Sequence, residues 1–367
     1  MQQVLFRIPP WSDNGLPIYG FGFMMVVALY ASVILAGHRA QKEGIPKETL
    51  WDLAIWLFVF GIVGARITFM IQYREQFSSI WEFFQIWKGG LVFYGSAIGG
   101  VVGYFLGHHF VFRKRGVSSW QLADIVAPSV ALGLCIGRFG CLLNGCCFGN
   151  VACAQCPAIH FPVSSPAFQA LHRQLVRAGS ETVAGFLMSE HAADPRTVGV
   201  VQPGSPAAQA GLQTGDVIVK VDDIPPNGRA ESTLASLLVK DTPRGKKDVY
   251  LTVERAGQET ALPPLRPRSI GLHPTQIYES ITMLLVFLLL LAFHPFRPRI
   301  GSVMVMLMLT YAVHRFLNEM LRNDTDPVRF DMTLSQNGSV LVLVAGLAIG
   351  LWLWKKGCRP AAVPAAA

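Results

Sequence analysis

The chain has 367 residues, 51% of them apolar and only 15% charged, where soluble domains carry about 25% charged residues. That balance excludes an ordinary soluble domain. A formal charge of +8 points to placement of Lys and Arg around membrane segments rather than to nucleic acid.

The apolar residues fall into seven runs that approach or exceed the ~20 residues needed to cross a bilayer: 18–37, 50–72, 90–112, 122–145, 277–295, 301–321 and 338–354. The expected fold class is therefore an all-α polytopic membrane protein with seven transmembrane helices. The opening "MQQVLFRIPPWSDNG" lacks the basic region and short apolar core of a cleaved signal peptide, so the first helix is expected to be retained. Basic clusters follow the first, third, fifth and seventh runs: "HRAQKEGIPK", "FRKRG", "HPFRPRIG" and "KKGCR". The positive-inside rule puts those loops in the cytoplasm. The N-terminus is then outside and the C-terminus inside, as an odd number of spans requires. The domain reading is 1–149 for spans 1–4, 150–196 for an extracytoplasmic arm, 197–266 for an inserted domain, and 267–367 for spans 5–7 and the tail.

The inserted segment is patterned differently from the spans. "VGVVQPGSPAAQAGLQTGDVIVKVDD" reads as strand, turn, short helix, turn and strand, with period-2 alternation in "VIVKVDD". A second helix at about 231–239 and a strand in "DVYLTVER" follow. The "GSPAAxAGLxxGDxI" run resembles a small α+β PDZ domain, a fold that binds peptides by adding a strand to its sheet edge. A peptide or protein ligand stands open beside a spacer or docking role.

Ionisable residues inside membrane spans are costly, about 2.5–3.5 kcal/mol each, and mark function by default. The second, fourth and sixth spans run outward, and Arg66, Arg138, Arg315 and Glu319 fall in their outer ends. The first, third and fifth run inward, and Tyr19, Tyr94, Tyr278 and Glu279 fall at their outer starts, with His273 and Gln276 just before. Asp52 and Asp124 sit at the cytoplasmic starts of spans 2 and 4 and read as structural carboxylates facing helix N-termini. In "YAVHRFLNEMLR", Tyr311, Arg315, Glu319 and Arg322 share one helical face. An Arg315–Glu319 pair alone leaves Arg66, Arg138 and Arg322 unused. Several arginines at one depth imply an anion, and guanidinium binds phosphate bidentately.

These residues carry a resemblance. "YGFGFM" at 19–24, "GARI" at 64–67, "KGGLVFYGSAIGG" at 88–100, "ADIVAP" at 123–128, "GRFGCLLNG" at 137–145, "HPTQIYE" at 273–279 and "YAVHRFLNEMLRNDTDP" at 311–327 resemble, in order, the motifs of the bacterial phosphatidylglycerol–prolipoprotein diacylglyceryl transferases. The PDZ-like segment lies outside the usual family pattern. The resemblance implies a transferase of the bacterial cytoplasmic (inner) membrane with its active site facing the outer leaflet. It would move the diacylglyceryl group of phosphatidylglycerol onto the lipobox cysteine thiol of a prolipoprotein signal peptide, forming a thioether and releasing glycerol phosphate. Its partners would be membrane lipids and prolipoproteins.

Arg138 and Arg315 would stabilise the leaving phosphate. A base would generate the thiolate nucleophile: His273 is favoured, Glu319 is the alternative, and Tyr94 stands where many members carry a histidine. Tyr19, Arg66, Asn144, Gln276, Tyr311 and Arg322 are the expected substrate contacts. No cofactor or metal is required. Two other readings remain: a non-catalytic adaptor holding partners through the PDZ-like segment, and a thiol–disulfide oxidoreductase built on Cys146–Cys156.

Six of the seven cysteines lie between Cys135 and Cys156. In an oxidising compartment Cys146, Cys147, Cys153 and Cys156 are expected to form two bridges. A zinc site using the Cys153–Cys156 C-x-x-C pair and a redox-active C-x-x-C are the alternatives. Cys135 and Cys141 read as packing residues. Cys141 and Cys146 replace an asparagine and an acid found in many family members.

Overall fold

The computed structural model describes residues 4–8, 15–72, 74, 81, 83, 93–153, 155–163, 165–168, 170, 171, 184–189, 191–226, 248–322 and 327–356, without the side chains of Phe93, Tyr94 and Arg329. An antiparallel hairpin of β1 (Val4–Ile8) and β2 (Leu16–Tyr19) leads into α1 (Gly20–Lys42), α2 (Glu48–Gln72), α3 (Phe93–Gly107) and α4 (Ser119–Asn144). A strand-rich segment follows: β3 (Phe186–Met188), β4 (Val198–Val201), α5 (Pro206–Gln209), β5 (Val217–Val221), β6 (Leu251–Arg255) and β7 (Gln258–Ala261). The chain ends with α6 (Thr275–Phe293), α7 (Ser302–Met320), the pair β8 (Pro327–Arg329) and β9 (Met332–Thr333), and α8 (Leu334–Lys356).

The long helices form over the apolar runs; α1, α2, α4, α6 and α8 extend a few residues past one or both ends of theirs, whereas α3 and α7 lie within theirs. Among the described residues, five are long and apolar enough to cross a membrane: α1, α2, α4, α8, and α6 with its continuation to Phe296. Outside that set, α3 has fifteen residues, and α7 dilutes its apolar run with Thr310, His314, Arg315, Asn318 and Glu319. The protein is thus a mostly helical, multi-pass membrane protein.

Two compact units divide the chain. The first comprises Met1–Val27, Cys135–Thr282 and His314–Ser339. Its apolar core gathers Phe148, Phe161, Phe168, Phe186, Val198, Ile218, Leu251, Leu265 and Leu272 into one cluster. Sequence 150–196 and the strand-rich segment therefore share a core. Ser205 caps α5, its Oγ accepting from Ala208 N at 3.1 Å, and Pro206 opens the helix, an arrangement suited to the first turn. In the three-stranded antiparallel sheet β5-β6-β7, Ile218 and Val221 of β5 point inward across a register shift. Asp216 accepts bidentately from Arg255 Nε and Nη2, both at 2.7 Å, and from Gln213 N at 2.8 Å. The Arg255 bond holds this carboxyl below its ordinary range despite desolvation, pinning the "TGD" turn to β6. The helix expected at 231–239 lies outside the described residues.

The second unit comprises Ala28–Leu134, Met283–Val313 and Val340–Ala367. Ala36, Ala40, Leu50, Leu53, Phe112, Leu122 and Ile125 form its core. Gly95, Gly99 and Gly103, one turn apart on α3, let that helix approach α2 so closely that a Cβ would strike the backbone or side chains of Gly64, Thr68, Phe60 and Trp56, the small-residue packing typical of membrane helices. Asp124, expected to face a helix N-terminus, accepts from Gly301 N, Val303 N and Met304 N at 2.7, 2.9 and 3.0 Å. It caps α7 rather than its own helix. Asp52 pairs with Arg115 at 2.7 Å.

Candidate active site

The end of α4 is shaped by Gly145. Cys146 N donates to Cys141 O at 3.2 Å and Gly145 N to Leu142 O at 3.2 Å, a Schellman ending with Gly145 at φ +73°. The chain doubles back there, and Cys147 follows in a second left-handed conformation, φ 59°. The start of α6 clamps this turn. Gln276 Nε2 donates to Cys146 O and Thr275 Oγ1 to Cys147 O, each at 2.7 Å. Gly149 then pairs with Arg322 and donates to His273 O at 3.1 Å. A Cβ on Gly149 would lie 2.7 Å from His273 Cβ, so this crossing requires glycine.

Those crossings bring α4, α6 and α7 residues of the first unit into one charged network. Arg138 Nη2 lies 2.6 Å from Glu279 Oε1. Arg315 Nη1 lies 3.5 Å from Glu279 Oε2, and its Nη2 lies 2.8 Å from Glu319 Oε2. Arg322 Nη1 lies 3.3 Å from the same Glu319 oxygen. Asn318 Nδ2 donates to Glu279 Oε2 at 2.9 Å, Thr333 Oγ1 to Glu319 Oε1 at 3.0 Å, and Arg315 Nη2 to Ser335 Oγ at 2.9 Å. Both carboxylates are buried. Among the described residues, three guanidiniums meet these two carboxylates. The geometry revises a sequence argument: an Arg315–Glu319 pair was expected to leave Arg138 and Arg322 unused, whereas Glu279 and Glu319 engage both.

Of the expected site residues, Arg138, Arg315, Glu319 and Arg322 come together. Gln276 holds backbone instead of pointing into the network. Asn144 ends α4 beside the cysteines. His273 Nδ1 is 3.3 Å from Tyr278 Oη. Tyr19 ends β2, partly exposed. Arg66 and Tyr311 belong to the second unit; Arg66 is buried, with Nε donating to Phe83 O at 3.1 Å. The Tyr94 side chain lies outside the described residues. Sequence reasoning placed Glu279 at the right depth but missed it as the hub, although a carboxylate at the start of an apolar helix was the signal. It also missed Asn318 and His314. His314 Nε2 is buried with no hydrogen-bond partner among the described residues, within electrostatic reach of Glu279, Arg138 and Arg315.

The cysteines also differ from expectation. One disulfide joins Cys153 and Cys156. Cys146 and Cys147 are not joined in a disulfide, because the glycine turn carries them back toward Cys141 and away from a second bridge. Hydrogen bonds from Cys141 and Cys146 draw the Cys147 thiol below its ordinary value against burial, and the Arg322 and Arg138 charges act in the same direction.

Comparison with known proteins extends these observations. The family described as Prolipoprotein diacylglyceryl transferase matches residues 3–352. A phosphatidylglycerol–prolipoprotein diacylglyceryl transferase of Rhodopirellula baltica is 28% identical, covering 93% of this chain and 73% of the relative. One from Oceanobacillus iheyensis is 24% identical over 90% and 83%. One from Clostridium tetani is 33% identical over 41% and 57%.

Proposed function

The chain belongs to the prolipoprotein diacylglyceryl transferase family, and from that premise we propose that its arginine–carboxylate network receives the phosphate of the lipid donor. The protein is a membrane transferase of lipoprotein biosynthesis that moves a diacylglyceryl group onto prolipoproteins. Phosphatidylglycerol is the donor and the signal-peptide cysteine thiol is the acceptor. The observation that carries the site assignment is the convergence of the Arg138, Arg315 and Arg322 guanidiniums on the buried pair Glu279 and Glu319. A buried cluster of guanidiniums is complementary to a phosphodiester, because guanidiniums offer planar bidentate donors for it.

In the reaction the acceptor sulfur bonds to the glycerol carbon that carries the phosphate. The bond from that carbon to the phosphate oxygen breaks, and its electron pair leaves on glycerol phosphate. Arg138 and Arg315 stabilise the charge growing on that oxygen, the group where preorganised donors contribute most. Glu279 and Glu319 hold the guanidiniums in place. The thiol proton passes to His314, whose Nε2 has an open acceptor position beside the network, in preference to His273, whose Nδ1 already engages Tyr278. Alternating basic loops support seven spans, N-terminus outside and C-terminus inside, which turns the network toward the outer leaflet of a bacterial inner membrane. The strand, short helix and sheet of 197–266 support a PDZ-like insert.

Transfer of radiolabelled diacylglyceryl from phosphatidylglycerol vesicles to a synthetic lipobox peptide tests the assignment. Arg138→Ala is expected to abolish transfer while the protein remains folded in detergent. Full activity of that variant overturns the phosphate site. His314→Gln is expected to lower kcat with little change in KM; the same loss in His273→Gln alone would reassign the base.

A further inference from the structure

We propose that Cys141, Cys146 and Cys147 form a three-thiolate binding site for one thiophilic d10 cation, of the zinc or cuprous-copper class. Their sulfurs all lie within 4.8 Å of one another. Sulfurs around a common ion at ~2.3 Å sit roughly 3.8 Å apart, so each needs to move by less than about 1 Å to close on it. The Schellman turn at Gly145 returns Cys146 over Cys141, and the left-handed Cys147 sets the third thiol beside them. Gln276 and Thr275 lock the two carbonyls of this turn, so the ligands are preorganised before any ion arrives. Backbone held in a sparsely populated region commonly marks a functional constraint.

Charge and chemistry agree with the geometry. Soft thiolates select d10 cations over magnesium or calcium. A divalent ion held by three thiolates carries one net negative charge, and a cuprous ion two. The nearest cations, Arg322 and Arg138, stabilise either. Binding displaces protons from the thiols and leaves a fourth position open, as in metal sites that accept an exogenous ligand. The Cys153–Cys156 disulfide is withdrawn from this chemistry, so the C-x-x-C pair is not a ligand source.

The test uses the full chain purified in detergent under anaerobic conditions. Elemental analysis after exposure to zinc or cuprous copper is expected to give one ion per chain. Cadmium is expected to produce a sulfur-to-metal charge-transfer band saturating at one equivalent. The triple Cys141→Ser/Cys146→Ser/Cys147→Ser variant is expected to lose both signals, each single variant to bind at least about tenfold more weakly, and Cys153→Ser/Cys156→Ser to keep both. The single variants report even where the triple variant fails to fold. No band in the wild type, single variants that bind as tightly as the wild type, or mass mapping that finds two of the three thiols joined in a disulfide overturns the proposal.

Discussion

Each of the two units carries a cluster of buried charge, and the clusters are built by different rules. In the second unit, Glu43 receives His294 Nε2 at 2.9 Å, Arg297 Nη1 at 2.7 Å and Gln121 Nε2 at 3.1 Å. Asp124 takes three backbone N–H groups at the start of α7, with Arg39 and Arg297 within electrostatic reach. Two guanidiniums, a histidine and helix-terminal donors surround these two carboxylates. In the first unit, among the described residues, no backbone N–H donates to Glu279 or Glu319, and the donors are guanidiniums and side-chain groups instead. A backbone-capped cluster is a structural joint. A cluster that gathers guanidiniums from separate elements offers donors to an anion. The same residue types serve both, so the source of the donors separates them.

The largest expected effect comes from Glu279→Ala, which releases Arg138 and Arg315 together. Breaking a buried pair on one side costs about 3–5 kcal/mol, so the detergent-solubilised protein should melt earlier and transfer should fail. Next comes Arg138→Ala, with turnover per folded molecule lowered about 10²–10³-fold, the scale of losing one preorganised donor. Arg315→Lys should not restore activity, because an ammonium cannot reach Glu279, Glu319 and Ser335 at once. Asp124→Asn, the counterpart in the second unit, should cost about 1–3 kcal/mol of stability through weakened capping and leave kcat unchanged. Equal losses of transfer in Asp124→Asn and Arg138→Ala would erase the distinction between the clusters.

A pH titration sharpens the same comparison with a smaller effect. Burial alone would raise the Glu43 carboxyl, but the bonds from His294, Arg297 and Gln121 hold it at about 2, below its ordinary 4.5. A depressed carboxylate contributes stability that is present above the ordinary value and lost as pH falls toward the folded one. Thermal stability should therefore decline between pH 4.5 and about 2, and Glu43→Gln should flatten that decline.

The sequence exposed the helices because apolar runs of membrane length are a one-dimensional signal, and it exposed Arg315, Glu319 and Arg322 because 3.6-residue periodicity fixes which residues share a face. Glu279 as hub was hidden for a physical reason. Its partners lie at sequence separations of 36 to 141 residues, and only packing decides which arginine meets which carboxylate. The capping of α7 by Asp124 was hidden likewise, since a carboxylate near one helix start is equally able to serve another. The cysteines show the same limit. Compartment chemistry argued for two bridges, but the glycine turn directs Cys146 and Cys147 toward Cys141.

The smallest expected effect lies on the β5-β6-β7 sheet, where Lys220 Nζ and Glu259 Oε2 sit 3.8 Å apart with both side chains well exposed. Excising 197–266 is a poor probe of this segment, because Val198, Ile218, Leu251, Val253 and Leu265 share a core with Phe148, Phe161 and Leu272, and removing them exposes the remainder. Lys220→Ala/Glu259→Ala leaves that core intact. An exposed pair contributes about 0–1 kcal/mol, so stability and transfer to a short lipobox peptide should both stay within about twofold of wild type. Running the same variant on a full-length prolipoprotein separates the roles of the insert. An unchanged rate there assigns this sheet face to the scaffold, whereas a selective rise in KM for the long acceptor assigns it to substrate contact and gives the strand-rich segment a function that the charged network lacks.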